Sequence, residues 1–256
     1  KKIETFKYFK DTKGLFSNNN NCYCHVMIMH FDSHKKRHIM ITLDILWFSK
    51  KIYDHIKTVL KDKYKIYENN ITLCASHTHG TPNPESNINY KQSCKGFESY
   101  IIKKILGCIL EAFTSESIKV VPIFRRILAP HLSINRRRRA LKFSPKLNYE
   151  MQSLPNYKNK IDEYVDVIEY KDFKNKNIEC ILIKFTCHPV SSLKGEMDAD
   201  YPGYIRSILS DKYAKQVMFM QGFCGDIRPN VLFKPKKIRD KLIDLVIGKR
   251  FRPARE

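Results

Sequence analysis

Runs rich in β-branched residues alternate with segments of helical period along most of this chain, which confines it to an α/β layered architecture. His25 to His30 and His38 to Trp47 read as two strands joined by a turn at Asp32-Ser33-His34-Lys35. A helix follows, capped by Ser49, with Ile52, Ile56, Val59 and Leu60 on one face. Ile71 to Ser76 returns to strand. His79 to Asn89, with its prolines and asparagines, is loop, and Phe97 to Phe113 is a second helix. Further strands are expected at Ile118 to Phe124, Asp162 to Tyr170, Ile178 to Phe185 and Gln216 to Gln221. Asn135 to Lys160, polar and carrying Pro145 and Pro155, reads as a surface excursion. Helices are expected from Pro202 to about Tyr213 and around Ile238 to Ile247. The expectation is one α/β domain over residues 1–256, with a mixed, mostly buried β-sheet and flanking helices.

Several function classes fall away on composition. No apolar run reaches the ~20 residues of a membrane-spanning helix, and the longest, Ile101 to Leu110, is broken by Lys103 and Lys104, so no transmembrane segment is expected. The net charge of +21 points towards an acidic partner. Most of the basic residues, however, are lysines scattered singly, as on a solvated face, and no stacking pattern or groove-reading helix accompanies them. Nucleic acid is therefore not the expected partner. Arg136 to Arg139 is the one cluster. The 8 cysteines form no C-x-x-C pair, and several sit inside apolar runs as small core residues. Unpaired thiols and no leader-like segment after Lys1 give a cytoplasmic expectation.

The chemistry gathers where strands run out into loops, as it does in α/β sheets. Ser76-His77-Thr78-His79-Gly80 follows one strand, and residues two apart in extended chain project to the same side. His77 and His79 can thus face one point, as metal ligand and neighbouring acid/base; the alternative reading is that one of them caps the strand by hydrogen bonding. Phe185-Thr186-Cys187-His188-Pro189 ends a second strand in histidine, fixed by the proline. Gly222 to Asn230 follows a third, with Asp226 and Arg228 on its exit. Asn135 and Arg136 add an amide and a guanidinium fork suited to a carboxylate, phosphate or amide oxygen. Asp44 lies inside the apolar run Ile41 to Leu46, and a carboxylate there either orients a histidine or closes a backbone turn.

Taken in order, ITLDIL at 41–46, CASHTHG at 74–80, INRR at 134–137, FTCHPV at 185–190, DADYPGY at 198–204 and FMQGFCGDIRPN at 219–230 resemble the N-terminal domain of the neutral/alkaline ceramidases. That resemblance implies a zinc-dependent amidase cleaving the N-acyl bond of a small-molecule or lipid-like substrate. Position by position it implies His77 and His188 as Zn2+ ligands, His79 as the acid/base, and Asn135 with Arg136 as substrate contacts. Asp44 and Asp226 stand as supporting carboxylates.

Two departures shape the expectation. The ceramidases proper read Gly-Asp-Val-Ser-Pro-Asn in the last motif, whereas here Arg228 stands at the serine position. A fixed positive charge there implies a polar or anionic substrate rather than ceramide. The family's other two ligands, a Glu and a Tyr, come from beyond the last motif. The competing expectation is therefore a catalytically incomplete remnant, or a module in which the arginines bind an anion.

Overall fold

The computed structural model describes residues 5–10, 22–31, 36–85, 96–143, 147–191, 197–232, 238–247 and 249–251. Two four-stranded sheets are stacked between helices. The first has the order β1-β2-β3-β4, comprising Thr5–Lys10, Cys24–Phe31, Lys36–Leu43 and Ile71–Ala75. Its first three strands are antiparallel and β4 lies parallel to β3. Between β3 and β4 runs helix α1 (Lys50–Tyr64), and α2 (Phe97–Thr114) follows β4.

The second sheet has the order β10-β9-β8-β5. It comprises β5 (Val120–Leu128), β8 (Tyr164–Asp172), β9 (Ile178–Phe185) and β10 (Gln216–Gln221), with β10 parallel to β9 and the other pairs antiparallel. Helix α3 (Asp200–Lys212) connects β9 to β10, which makes the parallel pairing possible. A ribbon of β6 (Ser133–Phe143), β7 (Leu147–Asn156) and the short β11 (Ile227–Pro229) stands apart, and α4 (Ile238–Ile247) contacts β6.

Side-chain alternation explains the stacking. On β2, Val26 and Ile28 face α1 and α2, where they pack with Ile52, Ile56, Ile101 and Ile105. Met27 and Met29 point the other way, onto Tyr170, Cys180, Leu182 and Met218 of the second sheet. Ile181, Ile183 and Phe185 of β9, with Val217 and Phe219 of β10, then pack under Tyr201, Ile205 and Leu209 of α3. The order is helix, sheet, sheet, helix. Strands buried on both faces read as continuous apolar runs, which is why β9 and β10 are so plain in the sequence. Each fully buried aliphatic side chain contributes about 1.5–3 kcal/mol relative to exposure.

Three expectations are corrected. The strand from His38 ends at Leu43 rather than Trp47, because the Asp44 carboxylate takes the Tyr23 N–H at 2.9 Å and turns the chain. The segment from Asn135 to Lys160 is mostly the β6–β7 hairpin rather than an excursion. Its alternation is masked by charge: Ile134, Ala140 and Leu154 are buried, while Arg137 and Arg139 project to solvent. Strand β5 continues four residues past Phe124 with every one of them exposed. The turn expected at Asp32 to Lys35 lies outside the described residues, as does the loop beyond Glu85. Among the described residues, no helix is long and apolar enough to cross a membrane, and all seven cysteines are free thiols.

Candidate metal centre

The carboxyl ends of β3, β4, β9 and β10 converge, and backbone hydrogen bonds tie their exits together. Ser76 N–H donates to Leu43 O at 2.9 Å and His77 N–H to Ile45 O at 3.1 Å, fastening the β4 exit to the β3 exit. His79 N–H reaches Pro189 O at 3.2 Å, and Gly222 N–H reaches Phe185 O at 3.0 Å. Each loop after a strand is thus held by the loop after its neighbour.

Within this frame His77, His79 and His188 bring one ring nitrogen each to within 4.8 Å of one another. The rings of His77 and His188 lie 4.6 Å apart, centroid to centroid, and nearly perpendicular. His77 Nδ1 is 2.7 Å from Leu46 O, and His188 Nδ1 is 3.0 Å from Cys224 O. A carbonyl oxygen only accepts, so both Nδ1 atoms carry the proton and both Nε2 lone pairs are left to the shared space. Imidazoles that bind a metal are oriented in this way, the outer N–H held by an oxygen acceptor. His79 Nε2 sits 3.1 Å from His188 Nε2, but its Nδ1 has no partner among the described residues. His77 adopts a left-handed backbone, φ 64°, rare for a side chain of its size and found where a site fixes its geometry.

Electrostatics keeps the rings of His79 and His188 neutral. Loss of solvent around the nitrogen, with the charges of His77 and Arg136, lowers His79 to about 4 although one side of the residue remains open to solvent. Burial lowers His188 to about 4, its bond to Cys224 O opposing the shift and Arg136 adding to it. Neutral imidazole is the form that binds a metal. The donor set fits a metal ion: three ring nitrogens within 4.8 Å of one another, two of them, on His77 and His188, with the tautomer fixed by a carbonyl on the outer nitrogen.

The remaining expected residues divide in two. Asn135 is buried and used up by the fold, donating from Nδ2 to Asp226 Oδ2 at 2.6 Å and accepting the Arg137 N–H at 2.8 Å. Asp226 is thereby a partner of Asn135, and Asp44 is bound by Arg206. Arg136 instead acts by its charge on His79 and His188, and Arg228 lies within reach of Arg136 and Cys187. The Arg136 guanidinium rests on Gly225 O through Nε at 3.2 Å and Nη2 at 2.8 Å. Arg228 lies over the Phe251 ring at 4.4 Å, and its buried Nε has no acceptor. An apolar hollow of about 280 Å³ opens alongside, with Phe185, Cys187, Tyr201, Ile205 and Pro229 in its wall.

Sequence reading missed the groups that hold the site. Leu46 and Cys224 act through backbone carbonyls, which leave no mark on residue type. Thr78 donates to Asp198 O at 2.7 Å, and a Cβ on Gly80 would fall 2.3 Å from the same oxygen. Gly80, immediately after the second histidine, was the available signal.

Residues 10–236 match the family described as neutral/alkaline non-lysosomal ceramidase, N-terminal. The chain belongs to this family. Its fold is similar to that of the neutral ceramidase from Pseudomonas aeruginosa, with a TM-score of 0.71 and 17% identity over 93% of this chain and 41% of that one. A solved structure described as ceramidase complexed with C2 gives the same TM-score of 0.71 and 17% identity, over 90% of this chain and 39% of that one. The chain thus spans about two fifths of the ceramidases it superposes on. No curated protein sequence matches it. As in the expectation from sequence, the ceramidase-family chain is an α/β layered domain, its sheet resolved into two stacked sheets and a ribbon.

Proposed function

We propose that this ceramidase-family chain carries a zinc-dependent hydrolase centre that cleaves an amide N-acyl bond in a substrate more polar or anionic than ceramide. The observation that carries the reading is the convergence of His77, His79 and His188, drawn from two strand exits more than a hundred residues apart in sequence. His77 and His188 would hold the ion, since each has its outer nitrogen anchored on a carbonyl. Zinc, when bound, supplies an activated water and polarises the scissile carbonyl.

The chain's own residues supply the rest. His79, neutral and unanchored at Nδ1, accepts a proton at that nitrogen and passes it to the departing amine nitrogen. Arg136, steadied by Gly225 O, keeps N–H donors for a polar group of the substrate. The hollow beside Phe185 and Tyr201 suits an apolar acyl portion and keeps water from it.

The test is metal content together with hydrolysis. Protein purified without chelator should hold about one zinc per chain, and His77→Ala should lose both metal and N-acyl hydrolysis. Folded wild-type protein that takes up no zinc overturns the reading. It would favour the second one, a catalytically incomplete module that binds an anion, which is supported by Arg136 beside the histidines and Arg228 next to it, with no carboxylate in ion-pair contact among the described residues.

A further inference from the structure

Arg136 and Arg228 stand on neighbouring strands. Arg228 pairs with Ile134 across β11 and β6, and Arg136 follows Ile134 by two residues. β6 carries a bulge between Asn135 and Arg137, and there the Arg136 N–H donates to Asp226 O at 2.7 Å, two residues before Arg228, so the two arginines are close neighbours on the paired strands. The positive charge of Arg136 acts on Arg228, and it also acts on His79 and His188.

Two like charges at half-buried positions need an explanation, because desolvating an unpaired cation is costly. The usual one is an acidic neighbour. The Asp226 carboxylate does act on Arg136 by its charge, but without ion-pair contact and with its Oδ2 held by Asn135 Nδ2 at 2.6 Å. Among the described residues neither arginine makes an ion pair. Their contacts are ones that orient a guanidinium without neutralising it: the Gly225 carbonyl for Arg136, and the Phe251 ring, at 4.4 Å, for Arg228. A ring beneath the plane of a guanidinium leaves its in-plane donors unused, and the Arg228 Nε is buried with no acceptor.

We propose that Arg136 and Arg228 form a two-armed oxyanion clamp beside the histidine group, which takes a carboxylate or phosphate carried by the substrate. The assignment of that group to a substrate rests on the hydrolase reading, while the clamp itself does not. In that reading the scissile amide belongs to an N-acylated amine bearing an acidic group, of the N-acyl amino acid or N-acyl aminoalkyl phosphate class. The fork geometry favours a planar or tetrahedral oxyanion that accepts from both arginines at once.

The experiment uses metal-stripped protein, so that its outcome is independent of zinc and of turnover. Binding of inorganic phosphate, N-acetylglycine and the neutral N-acetylglycinamide is measured by calorimetry at constant ionic strength. Phosphate and N-acetylglycine should bind and the neutral amide should not, the stronger of the two anions naming the preferred group. Arg228→Lys, which keeps the charge and loses the fork, should weaken anion binding about tenfold. Arg228→Met should abolish it, and Arg139→Gln, at an exposed position further along β6, should leave it unchanged. Circular dichroism reports folding, and Arg228→Lys carries the test if Arg228→Met does not fold. No anion binding by the wild type, equal binding of the neutral amide, or unaltered affinity in Arg228→Lys and Arg228→Met overturns the clamp. Anion binding without zinc uptake or hydrolysis sinks the enzyme reading alone.

Discussion

Arg206 on α3 grips Asp44 at the end of β3 with both arms of its guanidinium, Nη1 to Oδ1 at 3.0 Å and Nη2 to Oδ2, although the two residues are 162 apart in sequence. Both are almost wholly buried. Asp44 also receives the Tyr23 N–H, and Arg206 lies over the Tyr23 ring at 5.6 Å. The pair joins the first sheet to the helix under the second, just before the Leu46 carbonyl that orients His77. Asp44 therefore acts on the site from a distance, by fixing the chain that leads to it.

Removing one member of such a pair strands the other charge in a low-dielectric interior. Asp44→Ala should lower stability by about 3–5 kcal/mol, read as a fall in the urea midpoint. The apolar double replacement Asp44→Leu with Arg206→Met should recover most of that loss, because no charge is left unpaired. A single variant as stable as the wild type would show that the ion pair does not hold the two layers.

Much of this architecture was legible because its strands are buried on both faces. β9 and β10 fall on the expected residues, as does α4, and α1 starts at the residue after its expected cap, Ser49. Ser49 accepts the Ile52 N–H at 3.2 Å, which is the chemistry that made the cap visible. The β6–β7 hairpin was illegible because one face is solvated and carries arginines, so period two was hidden by charge. For the site, residue type marked the three histidines, but nothing local tells that Asn135 and Asp226 bond to each other or that His77 is left-handed. Those are consequences of tertiary packing.

The neutral histidines set the acid limb of stability. His38, bonded to Thr72 Oγ1 at 2.8 Å, is lowered by burial, and His79 and His188 are lowered to about 4. In the unfolded chain each titrates near ~6.5, so below that pH the unfolded state binds more protons and stability falls as pH falls. Metal-free protein should therefore melt at progressively lower temperature from pH 7 to pH 5. His38→Gln, distant from the metal group, should show a shallower decline. A decline equal to that of the wild type would mean that His38 is not held neutral in the fold.

His79 separates proton transfer from metal binding. With its Nδ1 unanchored it differs from His77 and His188, whose outer nitrogens are fixed on carbonyls. His79→Gln should retain most of the zinc while losing about 10²- to 10⁴-fold in kcat. Loss of zinc in parallel with activity would instead make His79 a third ligand.

Two glycines hold the loops that carry the histidines, and neither touches a ligand nitrogen. A Cβ at Gly80 would lie 2.3 Å from the Asp198 backbone oxygen, a contact made closer by the Gly80–Asp198 bridge, with Asp198 N–H donating to Gly80 O at 2.9 Å. A Cβ at Gly222 would lie 2.2 Å from Thr186 Oγ1 and 3.0 Å from Thr186 Cβ. The obstacle differs. Backbone cannot rotate away, so Gly80→Ala must move the segment behind His79 or break the bridge, whereas the Thr186 side chain can turn at the cost of its 3.1 Å bond to Asp162. Zinc affinity should therefore fall about 10- to 100-fold in Gly80→Ala, with a smaller fall in Gly222→Ala, in the absence of any change to a ligand. Competition titration with a chelator measures both. Wild-type affinity in Gly80→Ala would show that the loop's close packing on Asp198 plays no part in aiming the histidines.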